Sequence, residues 1–199
     1  MDDCKSTGIY ESLKFCQGKS VLPGIRNHTY YIPTSKIVKW PALPEVEGAT
    51  DMASLAKYDG NFVLEADAKW QRIDLKLNKG AIESETQGEY PSVTYLNKLA
   101  AQHPEVEEAA TGFCRQAVAD DFVFAVPQRN GKYRILGSEM YNTVTKPAQT
   151  TGEGTTGEAG TTLNIEATDV CPSPFYPGTL ETVDGDISGE TGQLITAEG

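Results

Sequence analysis

Two histidines, four cysteines and a glycine-rich run are the groups in this chain most able to do chemistry, and their spacing decides how much. His28 and His103 lie far apart in sequence, and no H-E-x-x-H surrounds either, so neither is nominated as a zinc ligand or general base. Cys4, Cys16, Cys114 and Cys171 are scattered, with no C-x-x-C and no zinc-ligand spacing. A Cys4–Cys16 disulfide is weighed against the reducing compartment expected below, and buried or incidental thiols are the favoured reading. A cysteine nucleophile needs a histidine in reach, and Cys114 falls on the apolar stripe of an expected helix, where packing accounts for it. The run "TTGEGTTGEAGTT", residues 150–162, lacks the lysine and the following helix that a phosphate cradle requires. No G-x-S-x-G, P-loop or G-x-G-x-x-G occurs. The 28 acids could supply a carboxylate pair for glycoside hydrolysis, but nothing singles one out. The expectation is a non-enzyme with no catalytic residue, cofactor or metal.

Charge is distributed unevenly. Residues 1–146 carry all 17 basic residues against 19 acidic ones, whereas residues 147–199 carry nine acids and no base, so nearly all of the net −11 lies in the last quarter. Such an end argues against affinity for nucleic acid through phosphate neutralisation; a solvated, solubilising end explains it equally well. Apolar residues at 39% suffice for one globular core in 199 residues. No run of 18 apolar residues occurs, so no membrane span is expected. The start, "MDDCKSTGIYESLKFCQGK", has neither a basic n-region nor an apolar h-region, which points to folding in a cytoplasm.

The elements that would position any site are mostly strands. An N-terminal segment, 1–26, shows no period; a single domain is expected over 27–178, followed by an acidic segment, 179–199, whose last ten residues are expected to be partly mobile. "NHTYYIPTSKIVKWPALP" favours short extended pieces broken by Pro33, Pro41 and Pro44, and the loop after it has room for one helical turn. In "WQRIDLKLN", Gln71, Ile73, Leu75 and Leu77 alternate with Arg72, Asp74, Lys76 and Asn78, which marks a strand with one buried side. "AIESETQGEY" alternates again with Glu83 and Glu85 on its polar face, so with Lys79–Gly80 as a turn the two read as a hairpin. Arg72 and Lys76 would then pair across it with Glu83 or Glu85. "SVTYLNKLAAQ" adds a third strand.

One helix is expected from Pro104 to about "ADD", with Val106, Ala109, Ala110, Phe113, Cys114 and Ala117 as its apolar stripe. "FVFAVPQRNGKYRILG" reads as a hairpin around Asn130–Gly131, since both residues tolerate positive φ. The Gly/Thr stretch reads as a flexible excursion over 148–160, and "TTLNIEAT" as a strand burying Leu163, Ile165 and Ala167. "DVCPSPFYPG" is a proline-bounded turn, and "TLETVDGDI" supplies one more short strand. The fold class is therefore mainly β (α+β): an antiparallel sandwich or barrel flanked by one α-helix, with a long Gly/Thr loop.

The order of these parts, with the phrases "DDFVFAVPQRNGKYRILGS" and "GTT…LNIEA…PSPFY", resembles the major tail tube proteins of long-tailed bacteriophages over about Gly60 to Tyr176. That resemblance implies a structural virion protein, made in the host bacterial cytoplasm and located in the tail. Its copies form rings, commonly hexamers, that stack into a tube, contact other tail proteins and pass DNA at ejection without binding it tightly. Loops and terminal segments lock ring to ring. On this reading Asp74, Glu83 and Glu85 face the lumen, and a negative wall repels phosphates. The stretch Thr151, Gly152, Glu153, Gly154, Thr155, Thr156 and Gly157 then reaches an adjacent subunit and orders on assembly, while a plain surface insertion fits its sequence equally well. The alternatives are another β-sandwich protein of the virion, such as a decoration or tail-end protein, and a carbohydrate-binding or adhesin module.

Overall fold

The computed structural model describes residues 8–195, and in it the chain is mainly β, with antiparallel sheets and one α-helix. Strand β1 (His28–Pro33) is followed, after a 3-10 turn, by β2 (Ile37–Lys39), which pairs with β3 (Val63–Leu64) as a small ribbon. The loop between them carries the expected single helical turn, at Ser54–Ala56. Next come β4 (Gln71–Asp74), β5 (Ala81–Gln87), β6 (Thr94–His103) and α1 (Glu108–Ala117). The hairpin β7 (Phe122–Pro127) and β8 (Tyr133–Leu136) precedes the long pair β9 (Thr143–Thr150) and β10 (Gly160–Asp169). Short strands β11 (Phe175–Tyr176), β12 (Thr179–Thr182) and β13 (Gly185–Ser188) complete the chain.

Two sheets form the sandwich: a five-stranded one in the order β11-β8-β7-β1-β4 and a four-stranded one in the order β5-β6-β10-β9. The core between them holds Leu99, Phe122, Phe124, Leu163, Ile165 and Ala167, with Phe113 and Ala117 of α1. A second core lies on the far side of the five-stranded sheet, where Tyr30, Val123 and Ile135 meet Phe62, Trp70, Tyr176, Leu180 and Ile187. That sheet is thus covered on both faces. This is why β7 reads "FVFAVP", apolar and buried at every position, rather than alternating. The four-stranded sheet has one wet face, so β10 alternates as its composition predicts, with Leu163, Ile165 and Ala167 buried.

The expected hairpin over 70–87 does not form. β4 pairs with β1 in one sheet, while β5 pairs with β6 in the other. The strand pattern breaks where the chain crosses between the layers: Leu75 is buried, Leu77 is exposed, and Asn78 turns the chain at φ 59°. Backbone bonds from Leu75 N–H to Asn27 O and from Lys76 N–H to Gln102 O tie the crossing to both sheets. Arg72 and Lys76 accordingly do not pair with Glu83 or Glu85.

Helix α1 starts at Glu108, four residues beyond Pro104. The preceding backbone is held otherwise, with Thr161 Oγ1 donating to Glu105 O at 2.7 Å. Phe113 packs its ring against Tyr31 and Phe122 at centroid distances of 5.0 and 6.0 Å. The β7–β8 hairpin forms as expected, but its turn is a three-residue loop in which Gly131 alone takes positive φ, at 97°. Gly131 N–H bonds to Gln128 O and Gln128 N–H to Lys132 O, the pattern of a type I turn closed by a left-handed residue.

The Gly/Thr excursion is shorter than expected, since pairing runs out to Gly160 opposite Thr150 and leaves a turn over 151–159. Residues 179–188 form a hairpin of two strands rather than one, and Leu180 and Ile187 pack into the second core. In the described part of the last ten residues the backbone is tied to β13. Ser188 N–H bonds to Gln193 O and Ile195 N–H to Asp186 O. Residues 196–199 lie outside those described, as does Cys4 of the weighed disulfide.

Candidate functional site

The outer face of the four-stranded sheet is polar and set out in cross-strand rows. One row runs Ala81, Ala100, Asn164, Lys146; the next runs Glu83, Lys98, Glu166, Val144. Lys98 reaches diagonally to Glu85, and this hydrogen bond raises the lysine pKa. Lys146 Nζ lies 2.6 Å from Glu166 Oε2. Among the described residues Glu83 makes no ion pair. All these side chains are solvated, so each pair contributes little to stability; what they set is the potential of the face.

Both edge strands of this sheet, β5 and β9, have an unpaired side. β5 offers seven residues with no proline and no bulge. β9 carries Pro147, which blunts that edge by removing one donor. Alternation puts Glu83 and Glu85 on the wet face, as their spacing implies. Asp74 is elsewhere: it lies in the five-stranded sheet and does not share a wall with them. There Arg72 bridges Asp74 and Asp184, at 2.7 and 3.1 Å. Tyr30 donates to Asp184 at 2.9 Å, and these two donors, Arg72 first, hold the Asp184 carboxyl below its ordinary pKa. The cluster pins the β12–β13 turn to β1 and β4.

The turn Thr151–Gly157 is exposed over nearly all its length. Its base is anchored by Lys76, which donates to Glu158 Oε1 at 3.0 Å and to Ala159 O at 2.5 Å, while Lys79 reaches Glu158 Oε2 at 3.4 Å. Hydrogen bonds from Lys76, chiefly, lower the Glu158 pKa. Gly157 closes the turn because a Cβ there would lie 2.1 Å from Glu153 N. This turn, the Lys79–Gly80 turn and the 129–131 tip share one end of the sandwich, linked by an Arg129–Asn78 hydrogen bond. The opposite end is formed by residues 88–93, 137–142 and 170–174, brought together by Gln87 donating to Thr168 Oγ1 and Ser138 to Thr168 O. It exposes Tyr90, Met140 and Val170. Residues 8–24 have no helix or strand and expose Tyr10 (86%), Leu13 (90%) and Phe15.

A buried polar turn, absent from the sequence reading, closes that second end. Asn97 of β6 donates to Cys171 O and accepts from Ser173 N–H, each at 3.0 Å, and also accepts from Ser84. Arg134 of β8 donates to Pro172 O and Ser173 O and lies over the Phe175 ring at 4.1 Å. Nothing local signals these contacts, since Asn97 and Ser173 are distant in sequence. The proline spacing of "DVCPSP" marks a turn but not its partners.

Among the described residues no group of three or more His, Cys, Asp or Glu is placed to hold a metal, and no helix is long and apolar enough to cross a membrane. No family model matches the chain, and neither the curated proteins nor the solved structures include a match.

Proposed function

We propose that this chain is a structural subunit whose copies close into rings through the edges of the four-stranded sheet and stack into a tube, as in the tail of a virus. One observation carries the reading: the sheet is antiparallel throughout, contains an even number of strands and leaves both edges unpaired. In a ring of identically oriented copies, β9 of one copy runs opposite to β5 of the next. The antiparallel alternation continues, one donor short at Pro147, and no edge of this sheet is left exposed.

Six copies would contribute about twenty-four strands, which at ~4.8 Å spacing and ~40° tilt enclose a bore ~48 Å across between backbones. The wet face would line it. Its acids, Glu83, Glu85 and Glu166, outnumber the lysines, 98 and 146, so the lining would be mildly negative and offer DNA few cations to hold. Stacking has support in the two unlike ends, one bearing the 151–157 turn and the other exposing Tyr90, Met140 and Val170. Residues 8–24 add a further apolar segment with little hold on their own fold. The resemblance in residue phrasing to phage tail tube proteins points the same way.

Negative-stain microscopy and sedimentation of the purified chain at rising concentration test the reading. Rings or tubes of uniform diameter are the expected result. A species that stays monomeric at every concentration would leave a decoration protein or a carbohydrate-binding module as the better account.

A further inference from the structure

The polar turn that begins at Asp169, the last residue of β10, contains a group that its hydrogen-bonding role does not explain. Asp169 is only 4% exposed. Its Oδ1 accepts from Val170 N–H at 2.6 Å and the Cys171 N–H also faces the carboxyl, both favouring the charged form, but its Oδ2 is buried with no hydrogen-bond partner. An ionised carboxylate with an orphan oxygen is costly inside a protein, whereas a neutral carboxyl is tolerated. Among the described residues no cation offsets it. The ionisable groups that interact with it are Tyr58, from the loop packed against the turn, and Cys171 beside it. Burial, first, raises the pKa of both, so both stay neutral near pH 7. Arg134, on the five-stranded side, is engaged with Pro172 O and Ser173 O, and acts electrostatically on Cys171.

The turn it belongs to is the tie between the two sheets at this end. Asn97 and Ser84 hold it from the four-stranded sheet, Arg134 from the five-stranded one, and Cys171 Sγ contacts Leu55 O at 3.9 Å. We infer that Asp169 makes this turn a proton-controlled latch, closed while the carboxyl is neutral and loosened when it ionises. Burial, the largest cause, pushes the Asp169 carboxyl up to about 6, which places the change in mild acid. The sign follows from proton counting. Between the unfolded carboxyl's ordinary pKa and about 6 the closed state binds the extra proton, so its stability falls as pH rises through that window and levels off above it. The latch is a property of the single chain and does not depend on assembly.

Amide hydrogen exchange at Val170, Cys171 and Ser173, corrected for intrinsic rates, reads the latch directly in the full chain. Protection should drop about 30-fold between roughly pH 4.5 and 7.5 in the wild type. It should stay flat in Asp169→Asn, which keeps the shape and carries no charge. The same drop in both proteins, or no drop in the wild type, overturns the proposal. Should the variant fail to fold, the carboxyl-carbon resonance of Asp169 in the wild type decides. A midpoint near 6 with the turn amides shifting together supports the latch, and a midpoint in the ordinary carboxylate range overturns it.

Discussion

Asn97 shows how much one side chain can decide. It is 1% exposed on a strand whose neighbours Leu99 and Ala101 are apolar, yet it satisfies a carbonyl, an amide and a hydroxyl of two other segments. Removing it strands Cys171 O and Ser173 N–H in the interior, and unsatisfied buried groups cost more than the bonds contribute. Asn97→Ala is expected to destabilise the fold by about 3 kcal/mol, read from the urea midpoint at constant slope. A loss under about 1 kcal/mol would show that the turn repacks without it. By contrast Glu85 and Lys98, although paired, are solvated and contribute little to stability. Their residue types were legible in the alternating strand; the role of Asn97 was not, because an asparagine between apolar residues looks the same in sequence whether it is satisfied or exposed.

Among elements, the β9–β10 connection combines a fixed base with an exposed tip. Its strands are long and in full register, so the turn between them is held at its base, while among the described residues its tip bonds to no other segment. Lys76, arriving from the crossover between sheets, is the main tether. Lys76→Met should therefore speed limited proteolysis within 151–157 while lowering global stability by no more than about 1 kcal/mol. Unchanged cleavage would mean that backbone pairing alone orders the turn. If copies assemble through this turn, assembled particles should resist cleavage there more than free protein does. The composition of the stretch suggested a mobile excursion because Gly and Thr lower the signal of a strand. Only the register with β6 and β10 reveals that pairing continues to Gly160.

For the whole molecule the question is what the wet face meets. Under the ring reading it faces a shared bore, and its charge balance governs how DNA moves. The double change Glu83→Lys and Glu85→Lys would make the face cationic. Assembled particles of that variant should retain short duplex DNA, with affinity falling steeply as salt rises, whereas wild-type particles should retain none. Equal retention by both would separate the face from the bore. The acid-rich end has a different fate from the one its composition suggests. Although residues 147–199 hold no base, Glu158, Glu166, Asp184 and Glu190 pair with lysines or arginine from earlier in the chain. Much of that end is an integral part of the sandwich rather than a solvated tail.

What the amino-acid order determined by itself is local: that most segments extend, though not β9, that a helix follows Pro104 within a turn, and that Leu163, Ile165 and Ala167 are buried while Glu83 and Glu85 stay wet. Each follows from a period of two or of 3.6 acting over a few neighbours. Tertiary structure alone decided that β4 and β5 belong to different sheets, so Asp74 sits with Arg72 and Asp184 instead of with Glu83. It also decided that Asp169 lies buried in a turn tying both layers. The reason is physical. A pleated strand specifies which of its faces is apolar but not which neighbour will cover it, and that choice is made only when two layers, each needing burial, close on one another.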